Sequence, residues 1–261
     1  MFYHNINPVL LKLGPFEIRY YGLFFVLGFV IAYFMLNYLA KKKKIELTKD
    51  DVSDYLLYLI IGTVAGARIF YVLIYNLKFY LANPLQIFAV WQGGLSFHGG
   101  LIGAVLAVII FTKKRKFDFY ELADLTVIPL ALGLALGRIG NFTNGELFGR
   151  ITNVPWAFKF SDAEGFRHPS QIYASLKNLL NFAVLWNLKN FKLPKGFLFW
   201  FFVTFYAFLR FIVEFFRQPD PQLGFFFGFL SMGQILSIIM FPIGLYFLFR
   251  IYNNSKKQVV I

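Results

Sequence analysis

The sequence predicts an all-α integral membrane protein. Seven transmembrane helices are expected, with the N-terminus outside and the C-terminus cytoplasmic, and a small extracytoplasmic cap over residues 141–168. Three observations predict this architecture. Of the 261 residues, 58% are hydrophobic and only 15% charged, and the mean hydropathy is +0.61; a soluble domain carries about 25% charged residues to cover its wet surface. Apolar stretches near the roughly 20 residues that a bilayer asks of a helix recur along the chain. Basic runs follow every second one of them. A soluble enzyme, a disordered regulator and a secreted scaffold are thereby excluded.

The segments run over approximately 19–40, 51–76, 93–112, 119–140, 169–190, 196–216 and 229–250. Met1 to Pro8 lacks the basic region of a cleavable signal, so the first segment is expected to stay as a helix. Lys41–Lys44, Lys113–Lys116, the lysines 189, 192 and 195, and Arg250 with Lys256 and Lys257 follow the odd-numbered segments. Fifteen Lys and Arg then fall on the cytoplasmic side and eight on the outer side, which sets the orientation by the positive-inside rule. Residues 77–92, with Pro84 and Trp91, suggest an interfacial or re-entrant piece. Residues 141–168 are polar and glycine-rich, which suggests the cap. Neither a linker nor an internal repeat of the transporter kind is visible, so residues 1–261 are read as one domain.

The formal net charge of +13 would suggest nucleic acid in a soluble chain. Here the cations lie in short loops, where they serve topology and contact with anionic membrane lipids, and no nucleic-acid partner is expected. There is no cysteine. Disulfides and a cysteine nucleophile are impossible, and any thiol must come from a substrate. The histidines His4, His98 and His168 are remote in sequence, so no metal site is expected.

Ionisable groups inside a bilayer are costly and tend to face a protein interior or wet cavity. On the predicted topology, Tyr21, His98, Arg138, Arg210, Glu214 and Arg217 all fall in the outer half of the membrane, with Arg68 just past the middle of the second segment. The run Gly137-Arg-Ile-Gly-Asn-Phe-Thr-Asn-Gly-Glu-Leu-Phe-Gly-Arg150 places Arg138 and Asn141 on one helix face. Its glycines suggest turns whose freed N–H groups, beside Arg138, suit an anion. In Arg210-Phe-Ile-Val-Glu-Phe-Phe-Arg-Gln-Pro-Asp220, Arg210, Glu214 and Arg217 share a face. One acid between two arginines leaves a positive excess, with Glu214 free to hold Arg217 while Arg210 meets a ligand. His98, between the glycine pairs 93–94 and 99–100, is open to a substrate and suits a general base. The small-xxx-small pairs Gly99/Gly103, Gly62/Gly66 and Gly133/Gly137 suggest helix packing.

Ile18-Arg-Tyr-Tyr-Gly22, the run around His98-Gly-Gly-Leu, Gly137–Arg150 and Arg210–Asp220 together resemble the motifs of the bacterial prolipoprotein diacylglyceryl transferase family, in matching order from the first helix to the last loop. Tyr20 stands where that family often has tryptophan. The resemblance implies a transferase of the bacterial inner membrane, active toward the extracytoplasmic side, that moves the diacylglyceryl group of phosphatidylglycerol onto the lipobox cysteine of a prolipoprotein and releases glycerol 1-phosphate. It implies no cofactor. Arg138 would bind phosphatidylglycerol and Arg210 would be an essential cation, while Tyr21, His98, Asn141, Glu146, Gly149, Glu214 and Arg217 match positions associated with activity. His98, or in its place Tyr21, would take the thiol proton. Two other readings are a lipid transporter, for which Asp54 and Asp124 near the inner side speak, and an intramembrane serine protease on Gly94-Leu-Ser-Phe97.

Overall fold

A computed structural model describes residues 1–14, 16–219 and 224–259. Its helices are α1 (Tyr20–Lys43), α2 (Lys49–Phe70), the short α3 (Leu77–Ala82), α4 (Phe97–Arg115), α5 (Phe119–Thr143), α6 (Ser170–Leu188), α7 (Phe197–Glu214) and α8 (Met232–Val259). Each expected segment therefore contains one long helix. Six of these, all but α6, are long and apolar enough to cross a bilayer. Exposed Leu, Phe, Val and Ile clothe them, as with Phe25, Val26, Val30 and Phe34 on α1. Side chains of this kind are at ease in hydrocarbon rather than water, and the protein is a multi-pass membrane protein. The α6 helix differs because it buries Gln171, Ser175, Lys177, Asn178 and Asn181.

Four short strands qualify the all-helical expectation. Val9–Leu13 (β2) and Phe16–Arg19 (β3) pair antiparallel ahead of α1, and Phe2–Tyr3 (β1) pairs parallel with Phe158–Lys159 (β4). Residues 77–92 form α3 and two single 3-10 turns, so this connection is helical but broken.

The chain forms two compact units, residues 33–123 and residues 1–32 with 124–261. In the smaller unit α2 and α4 approach closely through glycine. A Cβ on Gly62 would lie 2.7 Å from the Gly103 carbonyl oxygen, and one on Gly66 would lie 2.8 Å from Gly103 Cα. Any larger residue would wedge the helices apart, so Gly62, Gly66, Gly99 and Gly103 serve packing as expected. Gly133 and Gly137 are looser: a Cβ at either meets nothing within 4 Å, although Gly133 lies against Gly28 of α1, whose own Cβ would come 3.7 Å from Gly133 Cα. Identical spacing has two outcomes because only α2 and α4 approach too closely for a Cβ at these positions.

Arg68, in the last turn of α2, is buried without a carboxylate. Its guanidinium instead donates to the carbonyls of Gln86, Ile87, Ala89, Gly93 and Gly94 at 2.5–3.2 Å, and it lies 5.0 Å from the Tyr80 ring centre. Five acceptors match the five N–H donors of a guanidinium. Arg68 thus fixes the broken connection that leads into α4. At the other end of the unit, Arg115 pairs with Asp54 and with Asp51.

In the larger unit the Asp124 carboxylate accepts from the backbone N–H groups of Gly196 and Phe199, both at 2.8 Å, and so caps α7. Ser175 Oγ donates to the Ala135 carbonyl at 3.0 Å, tying α6 to α5. Trp200 stacks on Phe247 at 4.2 Å between α7 and α8. Residues 144–169 are mostly irregular and are held by the β1–β4 pairing and by a cluster of Phe142, Phe148, Phe158 and Phe160 around His4. Asp54 and Asp124 thus have structural partners, which removes the support they lent a transporter.

Candidate active site

Glu214, the last residue of α7, is the pivot of the larger unit. It is 1% exposed, and its two oxygens reach Arg210 at 2.8 Å and Arg217 at 3.4 Å. The i, i+4 and i, i+3 spacing read from sequence therefore forms one continuous ion pair, whose closer partner is Arg210 rather than Arg217. Space for the buried carboxylate comes from the first turn of α8: a Cβ on Gly233 would stand 2.7 Å from the Glu214 carboxyl carbon. That turn is set by Ser231 and Gln234, which exchange backbone-to-side-chain hydrogen bonds at 3.0 and 3.2 Å. Asp220, which closes this motif, lies outside the described residues.

From α5, Arg138 donates to Asn141 Oδ1 at 3.4 Å, and Asn141 Nδ2 donates to Glu146 Oε1 at 2.8 Å. Arg210, Arg217 and the hydroxyls of Tyr206 and Tyr21 all lie within Coulombic reach of Arg138. Tyr21 is brought there by Gly140, on which a Cβ would fall 2.8 Å from the tyrosine ring. Arg138, Asn141, Glu146, Tyr21, Arg210, Glu214 and Arg217 thus gather in one unit.

Part of the glycine-rich run after Arg138 is tied up within the protein: Gly145 donates to Phe142, Glu146 to Asn141, Gly149 to His168 and Arg150 to Phe216, at 2.9–3.1 Å. The last two bonds bridge the run to residues 166–168 and 216–218. Gly149 is needed for that crossing, since a Cβ there would lie 2.5 Å from the Phe216 carbonyl oxygen and 2.6 Å from that of His168. Leu147 takes a left-handed φ of 57°, which costs an L-residue about 1–2 kcal/mol. The start of α6 holds it there: Ser170 Oγ donates to the Leu147 carbonyl at 2.9 Å and Gln171 Nε2 to that of Glu146 at 2.7 Å. Formal positive charge at the site is carried by side chains.

Lys177 on α6 was not singled out by sequence. It is 6% exposed, donates to Asn178 Oδ1 at 2.7 Å, and sets its ammonium 3.7 Å from the centre of the Tyr206 ring. Arg210, Arg138 and Glu214 lie within its Coulombic reach. The available signal was a lysine inside an apolar segment with Asn178 and Asn181 beside it. Arg210 and Arg217 pair with one buried acid, Glu214, which is also in reach of Lys177, while Arg138 lies in reach of Arg210, Arg217 and Lys177. Among the described residues, this charge excess fits an anion.

Residues 8–250 match the family model for prolipoprotein diacylglyceryl transferase. The chain belongs to this family. A phosphatidylglycerol–prolipoprotein diacylglyceryl transferase of Geobacter sulfurreducens is 48% identical over 94% of this chain and 95% of its own length. Enzymes of the same name from Aeromonas hydrophila and Vibrio cholerae are each 42% identical, over 98% and 97% of this chain and 96% and 94% of their own. Membership covers both units, including His98 in the smaller one. His98 stands exposed in the first turn of α4, beside Phe97. Ser96, the serine of the protease reading, is the buried cap of that helix and accepts from the Gly99 N–H at 3.4 Å. No group of three or more His, Asp or Glu suited to a metal occurs among the described residues.

Proposed function

We propose that the protein transfers the diacylglyceryl group of phosphatidylglycerol to the lipobox cysteine of a prolipoprotein, the first step of bacterial lipoprotein maturation. The observation that carries this is the gathering of Arg138, Arg210, Arg217 and Lys177, with Glu214 as the buried acid that Arg210 and Arg217 share. In the reaction the cysteine thiolate forms a C–S bond at the glycerol carbon that bears the phosphodiester. The C–O bond breaks with its electron pair on oxygen, and glycerol 1-phosphate leaves carrying one more negative charge than the lipid phosphate had. Fixed cations in a dry site stabilise that gain without reorganising. Arg138 and Arg210 act on the phosphate, Asn141 and Glu146 orient Arg138, and Glu214 with Arg217 orients Arg210. Gly149 holds the crossing beneath them.

A free cysteine has a pKa of about 8.5, and a positive neighbourhood favours its thiolate. His98 takes the thiol proton in this reading, with Tyr21 as the alternative. The seven-helix topology follows the charge pattern: α6 joins the six apolar helices as a seventh span, its polar face turned to protein. Residues 144–168 then lie outside the cytoplasm with the active site near them, in the bacterial inner membrane.

The test is to mix purified protein, phosphatidylglycerol vesicles and a lipobox peptide. A mass gain on the peptide cysteine, with release of glycerol phosphate, is expected. Arg138→Ala should abolish it while membrane insertion persists. His98→Gln should lower the rate more than lipid affinity; an unchanged rate would move the proton to Tyr21.

A further inference from the structure

One polar feature of the larger unit exceeds what phosphate binding requires. Two arginines suffice to grip a phosphate, yet α6 adds a buried ammonium that makes no ion pair with any described carboxylate. Its Nζ donates to Asn178 Oδ1 at 2.7 Å and lies 3.7 Å from the centre of the Tyr206 ring. Four residues further along α6, and so on the same face, Asn181 is 1% exposed. Neither its amide nitrogen nor its amide oxygen has a hydrogen-bond partner among the described residues. A buried amide with no partner is unusual, and a side chain that both donates and accepts suits hydroxyl groups.

We propose that Lys177 and Asn181 select the headgroup: Asn181 takes the glycerol hydroxyls, and the Lys177 ammonium accepts a polyol phosphate but repels a headgroup carrying its own cation. This rests on the diacylglyceryl-transfer reading and adds to it the choice among membrane phospholipids. Zwitterionic phosphatidylethanolamine offers the same phosphate and the same scissile bond. Its ammonium, however, would come against Lys177 in a region from which water is largely excluded, and like-charge contact in such a place is strongly unfavourable. Phosphatidylglycerol brings hydroxyls instead. Arg138 and Arg210 then serve any phosphate, while α6 decides which lipid carries it.

The experiment uses the full-length protein in detergent with a lipobox peptide and phosphatidylglycerol. Sn-glycerol 1-phosphate, phosphoethanolamine and inorganic phosphate are titrated in as inhibitors. Wild-type protein should favour glycerol 1-phosphate over phosphoethanolamine by at least about tenfold. K177M should narrow that gap to about threefold or less, and K177R, which keeps the charge, should preserve it. N181L should weaken inhibition by glycerol 1-phosphate several-fold and leave inorganic phosphate unchanged. Equal inhibition of the wild type by the two esters overturns the proposal without recourse to any variant. So does an unchanged gap in K177M, or an N181L protein that loses all three inhibitors in parallel. If the wild type modifies no peptide at all, the transfer reading itself fails and takes this one with it; an active wild type without headgroup discrimination sinks the selection alone.

Discussion

Replacing Glu214 by glutamine keeps the shape of the side chain and removes its charge, so it isolates the electrostatic role of the pivot. The carboxylate is 1% exposed, and the side chains of Arg210 and Arg217 are 14% and 13% exposed, so water screens this pair far less than a surface pair. Removing one partner of a buried pair costs about 3–5 kcal/mol, because the remaining charge is left uncompensated. Here Arg210 and Arg217 lose their shared acid together, with Arg138 and Lys177 already in reach. For a chain of this size the loss corresponds to a fall in Tm on the order of 10 °C, read by thermal unfolding in detergent micelles. An added phosphate ester should restore more of that Tm in Glu214→Gln than in wild type, since it replaces the missing negative charge. Turnover should fall while product inhibition tightens. A loss below about 1 kcal/mol, the value of a solvent-screened surface pair, together with unchanged product inhibition, would refute the reasoning.

Other perturbations test the remaining parts. Arg210→Lys should cut turnover by more than about tenfold, because a point charge cannot both meet Glu214 and present a planar fork to phosphate; near-normal turnover would mean that charge alone matters. Gly233→Ala should reproduce part of the Glu214→Gln defect, since its Cβ would enter the space of the carboxylate, and a variant of wild-type stability and rate would show that α8 yields. Arg68→Met strips five carbonyls of their donor, so residues 83–95 should become the first site of limited proteolysis; an unaltered cleavage pattern would remove its anchoring role. Burial holds the His168 imidazole below its ordinary value of 6.5. The unfolded chain therefore takes up that proton first, and this contribution to stability is present above pH 6.5 and is lost as pH falls below it through the lower value of the folded state. His168→Asn should flatten the dependence of Tm on pH between about 7 and 5.5, and an unchanged slope would exclude His168 as its source.

The strongly local features were legible in the sequence. Apolar runs flanked by lysines mark where helices form, because a bilayer imposes length and hydropathy directly on each segment. The spacing of Arg210, Glu214 and Arg217 is likewise a property of one helix, and the ion pair followed from it. The β2–β3 hairpin has a weaker signal: Val9-Leu-Leu-Lys-Leu13 does not alternate, and the apolar-polar alternation of Phe16-Glu-Ile-Arg19 spans only four residues.

What spacing cannot supply is the identity of the neighbour across a contact. Gly62/Gly66 and Gly133/Gly137 look alike in sequence, yet only the first pair leaves no room for a Cβ against the neighbouring helix. The amides of Gly149 and Arg150 look free in a glycine-rich run and are occupied because distant parts of the chain cross there. Lys177 reads as one polar residue in an apolar segment until α6 and α7 pack and lay it against Tyr206 in reach of Arg138 and Arg210. Charge, hydropathy and helical period are written along the chain, so the sequence determined the class of protein and its cationic character. Which cations share one acid, and which buried amide is left without a partner, depends on distances between residues far apart in sequence, and the tertiary structure alone decided them.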